Sequence, residues 1–328
     1  MIVGRALLPM ERSPAYWLGK WGRYAIEESR RNGLDGAREG LLDAWRDVFV
    51  VANQRLVEAV GNPGRPIYEP DWDVLLVLDA CRTDLLHEVA DEYEFLGEIG
   101  TFRSRASMSE DWLARNFTPE YADEMARTAY VTGNPFARAL DDDSFALLDE
   151  VWEYAWDEQY HTIPARPLTD RAIDTWRRRE DNGVEQMVVH YMQPHAPFVP
   201  DPNLGSFGTP DDFGEGSFGS LWSEAGYTIP AEEVWAAYRD NLRYVLDDIE
   251  VLLENMDAER VAITADHGNA FGEFGLWGHD SDVLLPSVRL VPWAETTGRD
   301  TGEYEPSVEP READTAAVED RLRALGYR

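Results

Sequence analysis

Val261-Ala262-Ile263-Thr264-Ala265-Asp266-His267-Gly268 is an apolar, largely β-branched run that stops abruptly on Asp-His-Gly. In parallel α/β sheets the loops beyond the carboxyl ends of the strands form the ligand crevice, so residues placed there carry chemistry. A carboxylate beside an imidazole pairs a hard with a borderline donor, a combination suited to Zn²⁺ or Mn²⁺. Gly268 permits a sharp turn or a close approach of the backbone to a ligand. Taken alone, the same octapeptide also reads as a plain strand followed by a polar turn.

The rest of the chain repeats the design. Asp73-Val74-Leu75-Leu76-Val77-Leu78-Asp79 is continuously apolar and ends in a carboxylate. Continuous rather than alternating apolarity predicts a strand buried on both faces. Ala80-Cys81-Arg82-Thr83-Asp84 follows, then a helical pattern through about Tyr93. A third strand, Met187-Val188-Val189-His190-Tyr191-Met192, runs into Gln193-Pro194-His195-Ala196-Pro197-Phe198, where prolines on both sides fix the backbone around His195. His279 comes later, in Gly275-Leu276-Trp277-Gly278-His279-Asp280. The six histidines are 87, 161, 190, 195, 267 and 279, and three of them fall in these loops, which points to a metal or phosphate site rather than scattered surface. The expected fold class is α/β, with a mostly parallel central sheet and helices on both faces.

Four segments in order, Leu78-Asp79-Ala80-Cys81-Arg82-Thr83-Asp84, His190 to Phe198, Thr264-Ala265-Asp266-His267-Gly268 and Gly278-His279, resemble the alkaline phosphatase superfamily. The nearest branch is similar to the sulfatase-like hydrolases and lipid-headgroup phosphotransferases. The resemblance covers roughly residues 70 to 292. It implies a nucleophilic Ser, Thr or modified Cys at the amino end of a helix between the first Asp and the Pro-His segment. The stretch Arg103-Ser104-Arg105-Ala106-Ser107-Met108-Ser109-Glu110-Asp111-Trp112 fits that place. Ser107 or Ser109 would cap the helix, with Glu110 and Asp111 favourable in its first turn. The spacing to Trp112 favours Ser109, with Ser107 as the alternative; an ordinary capping serine is the plainer reading. A helix amino end offers free N–H groups to a phosphoryl oxygen.

By the same resemblance, a divalent metal (Mn, Zn, Ca or Mg) held by Asp79, Asp266 and His267 would activate the serine hydroxyl. His195 and His279 would bind the transferring phosphoryl oxygens or a second metal, with Asp280 as a possible further carboxylate. Arg82 and Arg105 are cations whose planar forks match phosphate, and either serves equally well as a structural ion-pair partner. The Cys-x-Pro-x-Arg motif of cysteine-type sulfatases is missing from the nucleophile segment. Cys81, the single cysteine, lies beside Asp79 and reads as a small buried residue. Phosphate esters are therefore expected before sulfate esters, with a non-catalytic anion-binding or membrane-surface relative as the other class.

The 328 residues carry a formal net charge of −33, with one lysine, Lys20, against 29 arginines. Such excess carboxylate suits molar salt, where screening removes self-repulsion, and it argues against nucleic acid as a partner. No run approaches the roughly 18–20 apolar residues of a membrane-spanning helix. The first ten residues are too short and broken for a secretory signal, so a cytoplasmic protein is expected. Three regions are expected: a helical N-terminal extension (1–66), the catalytic domain (67–293), and an acidic tail with a short terminal helix (294–328). Residues 14–60 read as a helical layer over the sheet edge, or as a membrane-surface contact through Trp17, Trp21 and Tyr24. Helices are expected over about 168–179 and 231–255 and a strand over 284–293. The Gly/Pro/Ser/Asp-rich stretch 201–219 reads as a lid or a surface insertion.

Overall fold

The computed structural model describes residues 41–42, 44–204 and 219–307. Nine strands are present among them: β1 (Val74–Leu78), β2 (Ile99–Arg103), β3 (Thr128–Thr132), β4 (Leu147–Glu150), β5 (Gln186–Tyr191), β6 (Ala258–Thr264), β7 (Ala270–Phe271), β8 (Trp277–Gly278) and β9 (Leu290–Gly298). The helices are α1 (residues 44–60, with 41 and 42 also helical), α2 (Thr83–Val89), α3 (Ser109–Asn116), the short α4 (Ala122–Met125), α5 (Ala165–Arg177), the short α6 (Arg179–Asn182) and α7 (Gly219–Glu224), α8 (Ala231–Leu253) and the short α9 (Pro286–Arg289).

Seven strands form one sheet in the order β2-β9-β6-β1-β5-β3-β4. β1 pairs in parallel with both β5 and β6, and β3 pairs in parallel with β4 and β5. Only β9 is reversed: it is antiparallel to β6 and to β2, so β2 again runs with the majority. The expectation of a mostly parallel α/β sheet holds. β1 sits in the middle, and its neighbours β5 and β6 come from distant parts of the chain, so three well-separated sequence segments deliver their carboxyl ends to one place.

Both faces of the sheet are covered, which is why β1 is apolar at every position. Val74, Leu76 and Leu78 belong to a large core with residues from α2, α5 and α8. Leu75 and Val77 point the other way, into a second core with Trp112 and Leu113 of α3, Tyr130 of β3 and Val188 of β5. All five are fully buried, and burying each such side chain is worth about 1.5–3 kcal/mol. The alternation fixes a face for every residue. In β5, Met187, Val189 and Tyr191 join the α5/α8 side while Val188 joins the α3 side, which puts His190 on the α3 side too.

Several sequence expectations need adjustment. The helix expected over 168–179 starts earlier, at Ala165, and that over 231–255 ends at Leu253. The strand expected over 284–293 begins as the short α9, and β9 proper runs from Leu290 to Gly298. The boundary expected at 293/294 thus falls inside a strand. Residues 294–298 looked like tail because they are polar, yet they complete the sheet through Ala294, which is buried, and alternate outward. The chain beyond is also tied down: Arg177 pairs with Asp300 at 2.8 Å, and Tyr304 donates to Asp170 at 2.6 Å.

The described residues of α1 pack on the segments that follow β6. Val50 and Phe49 pack on Ala270, Leu276, Val283, Leu285 and Val288, the loops that follow β6. Asn53 Oδ1 accepts from Leu284 N, and Gln54 donates to Ser281 O. Trp17, Trp21 and Tyr24, most of the 201–219 stretch and the terminal helix expected near 317–325 lie outside the described residues.

Candidate active site

The site forms at the carboxyl edge of β6, β1 and β5. Asp79 is the first residue past β1, and Asp266 the second past β6. The β1 ladder continues one step: Asp79 N–H donates to Tyr191 O, and Asp79 O accepts from His195 N–H. Asp79 is followed by Ala80 at φ 59°, a left-handed conformation that a non-glycine residue adopts at a cost of about 1–2 kcal/mol. That turn aims Ala80 N–H at Asp266 Oδ1, 3.0 Å away. His267 N–H bonds to the same oxygen at 2.8 Å, so Asp266 holds both strand ends together.

Gly268 is required by packing. A Cβ there would lie 2.1 Å from Ser287 O, and Gly268 N–H donates to Val288 O at 2.7 Å. The Asp-His-Gly turn is therefore clamped onto the 287–288 backbone. Of the two roles expected for this glycine, close approach is the observed one, and the partner is protein rather than ligand.

Ser109 enters from the α3 side. Its Oγ donates to Asp266 Oδ2 at 2.7 Å and lies 3.3 Å from Asp79 Oδ2 and 3.4 Å from His267 Nε2. It is the first residue of α3 rather than its cap: Met108 occupies the capping position with an extended backbone, and no side chain caps the helix. The hydroxyl is turned into the carboxylates, and the first-turn N–H groups are left for another acceptor. Ser107 is equally buried but engaged elsewhere, donating to Asp280 O at 2.6 Å and accepting from Val283 N–H at 3.2 Å. Of the two candidate nucleophiles, only Ser109 meets the carboxylates.

His190 completes the cluster. Asp79, His190 and Asp266 each offer a donor atom within 4.8 Å of the others, all buried. His190 Nε2 is 3.7 Å from Asp266 Oδ2, and its Nδ1 is 2.9 Å from the Tyr130 hydroxyl. Sequence reading missed it because it sits inside the apolar run of β5. The usable signal was register: His190 pairs with Val77, two before Asp79, and shares the face of Val188.

His267, expected as a ligand, is adjacent. Its Nε2 lies 3.4 Å from Asp266 Oδ2 and 3.8 Å from Asp79 Oδ1. Its Nδ1 is 2.7 Å from Gly268 O. A carbonyl only accepts, so Nδ1 carries the proton and Nε2 presents a lone pair to the site. His195 uses the same device, with Nδ1 against Ala196 O. His195 Nε2 lies 3.1 Å from His279 Nε2, and the His279 ring is 4.2 Å from that of His267. His279 thus sits one layer out from the carboxylates, in a string of three imidazoles, rather than among the donors around Asp79 and Asp266. Burial lowers His195 to about 4 and pulls His279 well below the usual imidazole range. Buried Asn241 of α8 holds the loop in place, donating to Pro194 O at 3.0 Å and His195 O at 3.1 Å.

The electrostatics are those of two facing carboxylates, with no arginine or lysine paired to either among the described residues. Burial and the charge of Asp266 both push Asp79 well above the ordinary carboxyl range. Burial pushes Asp266 upward too, but His267, His190 and the Ser109 hydrogen bond outweigh it and hold Asp266 low. The pair therefore keeps one proton, on Asp79, unless a cation replaces it. Asn134, after β3, donates to Asp79 Oδ2 at 3.0 Å and was not foreseen from sequence.

Arg82 is the expectation that the structure moves furthest. Its guanidinium bonds Asp84 through two nitrogens (2.8 and 2.6 Å) and reaches Glu273 Oε1 and Asn269 O, both at 2.7 Å, over the face of Trp235. Its fork is filled by structural partners. Arg105 bonds the Arg115 carbonyl and is likewise outside the cluster. The backbone carbonyl of Asp280 accepts from Ser107 Oγ.

No protein-family model matches the sequence, and no curated protein matches it. Solved structures do. The soluble domain of lipooligosaccharide phosphoethanolamine transferase A from Neisseria meningitidis is similar at 14% identity, covering 70% of this chain and 77% of that one, with a TM-score of 0.42. The periplasmic domain of phosphoethanolamine transferase EptC from Campylobacter jejuni is similar at 15% identity, 68% and 77% coverage and a TM-score of 0.40. A Bacteroides thetaiotaomicron protein assigned as a sulfatase is similar at 10% identity, 78% and 70% coverage and a TM-score of 0.46. Likeness of this degree concerns chain path and says nothing of residue roles.

Proposed function

We propose that the protein is a metal-dependent hydrolase or transferase of phosphate esters with Ser109 as nucleophile. The observation that carries this reading is the Ser109 hydroxyl, 2.7 Å from Asp266 Oδ2 and within 3.4 Å of Asp79 and His267, at the uncapped start of α3.

The residues fit a divalent cation. Asp79 Oδ1 and His190 Nε2 are buried with no hydrogen-bond partner, and His267 Nε2 faces both carboxylates and the Ser109 hydroxyl. Asp79 and Asp266 would hold the ion with His267, His190 or both, a donor set suited to Zn²⁺ or Mn²⁺. Such an ion lowers the pKa of a bound hydroxyl and neutralises charge on a phosphoryl oxygen.

The chain's own groups supply the rest. Asp266 Oδ2 accepts the Ser109 proton while Ser109 Oγ forms a bond to phosphorus and the bond to the leaving oxygen breaks. First-turn N–H groups of α3 face the phosphoryl oxygens. His279, neutral, donates a hydrogen bond from Nε2 to a phosphoryl oxygen or to His195. Water or an acceptor alcohol then takes the phosphoryl group from Ser109.

Serine rather than cysteine at the first turn of α3 favours phosphate over sulfate, and the sole cysteine, Cys81, is fully buried. The test is turnover of nitrophenyl phosphate, its diester and its sulfate in molar KCl with added Mn²⁺ or Zn²⁺. Activity on one ester, lost with chelator and in Asp266→Asn, supports the proposal and names the ester. Metal binding without turnover of any of them, and no effect of Ser109→Ala on a physiological-like lipid phosphodiester, favours a binding-only protein.

A further inference from the structure

One face of α1 is apolar and uncovered. Leu41, Trp45, Val48 and Leu56 are 68%, 50%, 40% and 49% exposed, and Ala52 and Ala59 are exposed between and beyond them. At 100° per residue these six lie within about 80° of one another and run about 27 Å along the helix. Val50, on the opposite face, packs on the protein, and Phe49, at the margin of the strip, is partly buried beside it. The stripe does not end with the helix. Phe274, 61% exposed, stacks on Phe49 at 5.3 Å, and Trp45 Nε1 donates to Phe274 O. Phe274 itself is held outward at φ 53°, a left-handed conformation unfavourable for an aromatic residue. A contiguous apolar strip of this kind marks an interaction surface, the more so on a molecule otherwise dense in carboxylates.

We infer that this strip is a docking surface for a lipid bilayer. Charge distribution selects that partner. Residues 1–62 hold nine Lys and Arg against eight Asp and Glu, while the remaining residues hold 21 against 55. Along the sequence, the segment that carries the strip is thus close to charge balance, where the rest of the chain is strongly acidic. A tryptophan with its indole N–H satisfied inside a row of aliphatic side chains suits the boundary between headgroups and acyl chains. Position adds a second argument. The strip ends at Phe274, four residues before Gly278-His279, and α1 is bonded to both sides of the site: Gln54 to Ser281 O, and Asn62, just beyond α1, to Arg105 O in the nucleophile segment. Docking here holds the catalytic edge at the membrane, where an ester on a lipid headgroup could reach Ser109. The surface itself is independent of the ester chemistry proposed above.

The test uses the full chain with Leu56→Cys carrying an environment-sensitive thiol fluorophore. Cys81 is buried, so labelling reports position 56. Vesicles of phosphatidylglycerol and phosphatidylcholine are added in molar KCl. The expected result is a blue shift at position 56, no shift for the same label at Glu58→Cys on another side of the helix, and co-flotation that Trp45→Glu abolishes without changing nitrophenyl ester turnover. The shift persists as KCl rises, because apolar burial rather than charge drives it. No shift with vesicles overturns the inference. So does a label already blue-shifted or unreactive without vesicles, which would mean that residues 1–40 or a second copy cover the strip.

Discussion

Ser109 Oγ and Asp266 Oδ2 face each other across 2.7 Å, joining the first residue of α3 to the second residue beyond β6. The bond crosses 157 residues of chain and links the two cores on which the sheet rests. It depends on α3 packing Trp112 and Leu113 over β1 and β5, because that packing sets the depth at which the helix start meets the strand ends.

Ser109→Ala should lower turnover roughly 10³-fold or more while leaving the thermal midpoint nearly unchanged, since its hydroxyl bonds only to the site. Ser107→Ala should do the reverse. It strips partners from the Asp280 carbonyl and the Val283 N–H, both held by Ser107 Oγ, so stability should fall by about 1–3 kcal/mol with turnover within several-fold. Paired kinetics and melting curves decide it. A larger activity loss in Ser107→Ala would transfer the nucleophile assignment.

Asp79→Asn should stabilise the metal-free protein at neutral pH. Asp79 is raised in the folded state, so its carboxyl is neutral there at low pH, and stability falls as pH rises above the unfolded value of about 4 toward the folded one. An amide carries no such charge and offers a donor where Oδ1 has no partner. With saturating metal the order should invert. The wild type gains about 2.7 kcal/mol at a hundred times its Kd, and the variant gains much less. Melting with chelator and with Zn²⁺ or Mn²⁺ across pH 5–8 reads both halves. A variant less stable than wild type without metal would remove the case for like-charge repulsion.

Arg82→Gln should weaken the fold against acid rather than slow the chemistry. Burial pushes Asp84 and Glu273 up, but the Arg82 guanidinium at Asp84, and the Phe271 N–H together with Arg82 at Glu273, hold them below the ordinary carboxylate range. Depressed carboxyls contribute stability that is present above the unfolded pKa and lost as pH falls through the folded one. Without Arg82 the part of that contribution it supplies is missing at neutral pH. The acid limb of an unfolding curve should then begin nearer pH 4, with kcat close to wild type. A loss of kcat alone would return Arg82 to the substrate.

The strand ends were legible because a strand buried on both faces writes itself as an apolar run, and Asp79 and Asp266 terminate two such runs. His190 was hidden by the same logic, since a polar residue inside the run looks like an interruption until the register with Val77 is known. Asn134 and the filled fork of Arg82 depend on residues 55 and 191 positions away, a separation no local pattern reports. The second half of β9, residues 294–298, read as tail because its outward residues are acidic or polar, and pairing with β6 and β2 continues the strand expected over 284–293 through it. The α1 helix was visible as amphipathic, but which of its apolar residues face the protein was not: Val50 packs inward while Trp45 and Leu56 remain outside.

Gly268→Ala should be among the most damaging single substitutions at this edge. The added methyl would stand 2.1 Å from Ser287 O, which belongs to backbone held by the bond from Gly268 N–H to Val288 O, so neither side can yield cheaply. Relief requires the Asp266-His267 turn to move away from 287–288. That shifts the carboxylate binding Ala80 N–H and Ser109 together, so stability and metal affinity should fall together, the former by about 3 kcal/mol or more. Gly275→Ala is the control. It has φ +77° but open space around its Cβ, so it should cost only about 1–2 kcal/mol of backbone strain and leave metal affinity intact. Equal losses of metal affinity in the two variants would show that the close contact at Ser287 is not what positions Asp266.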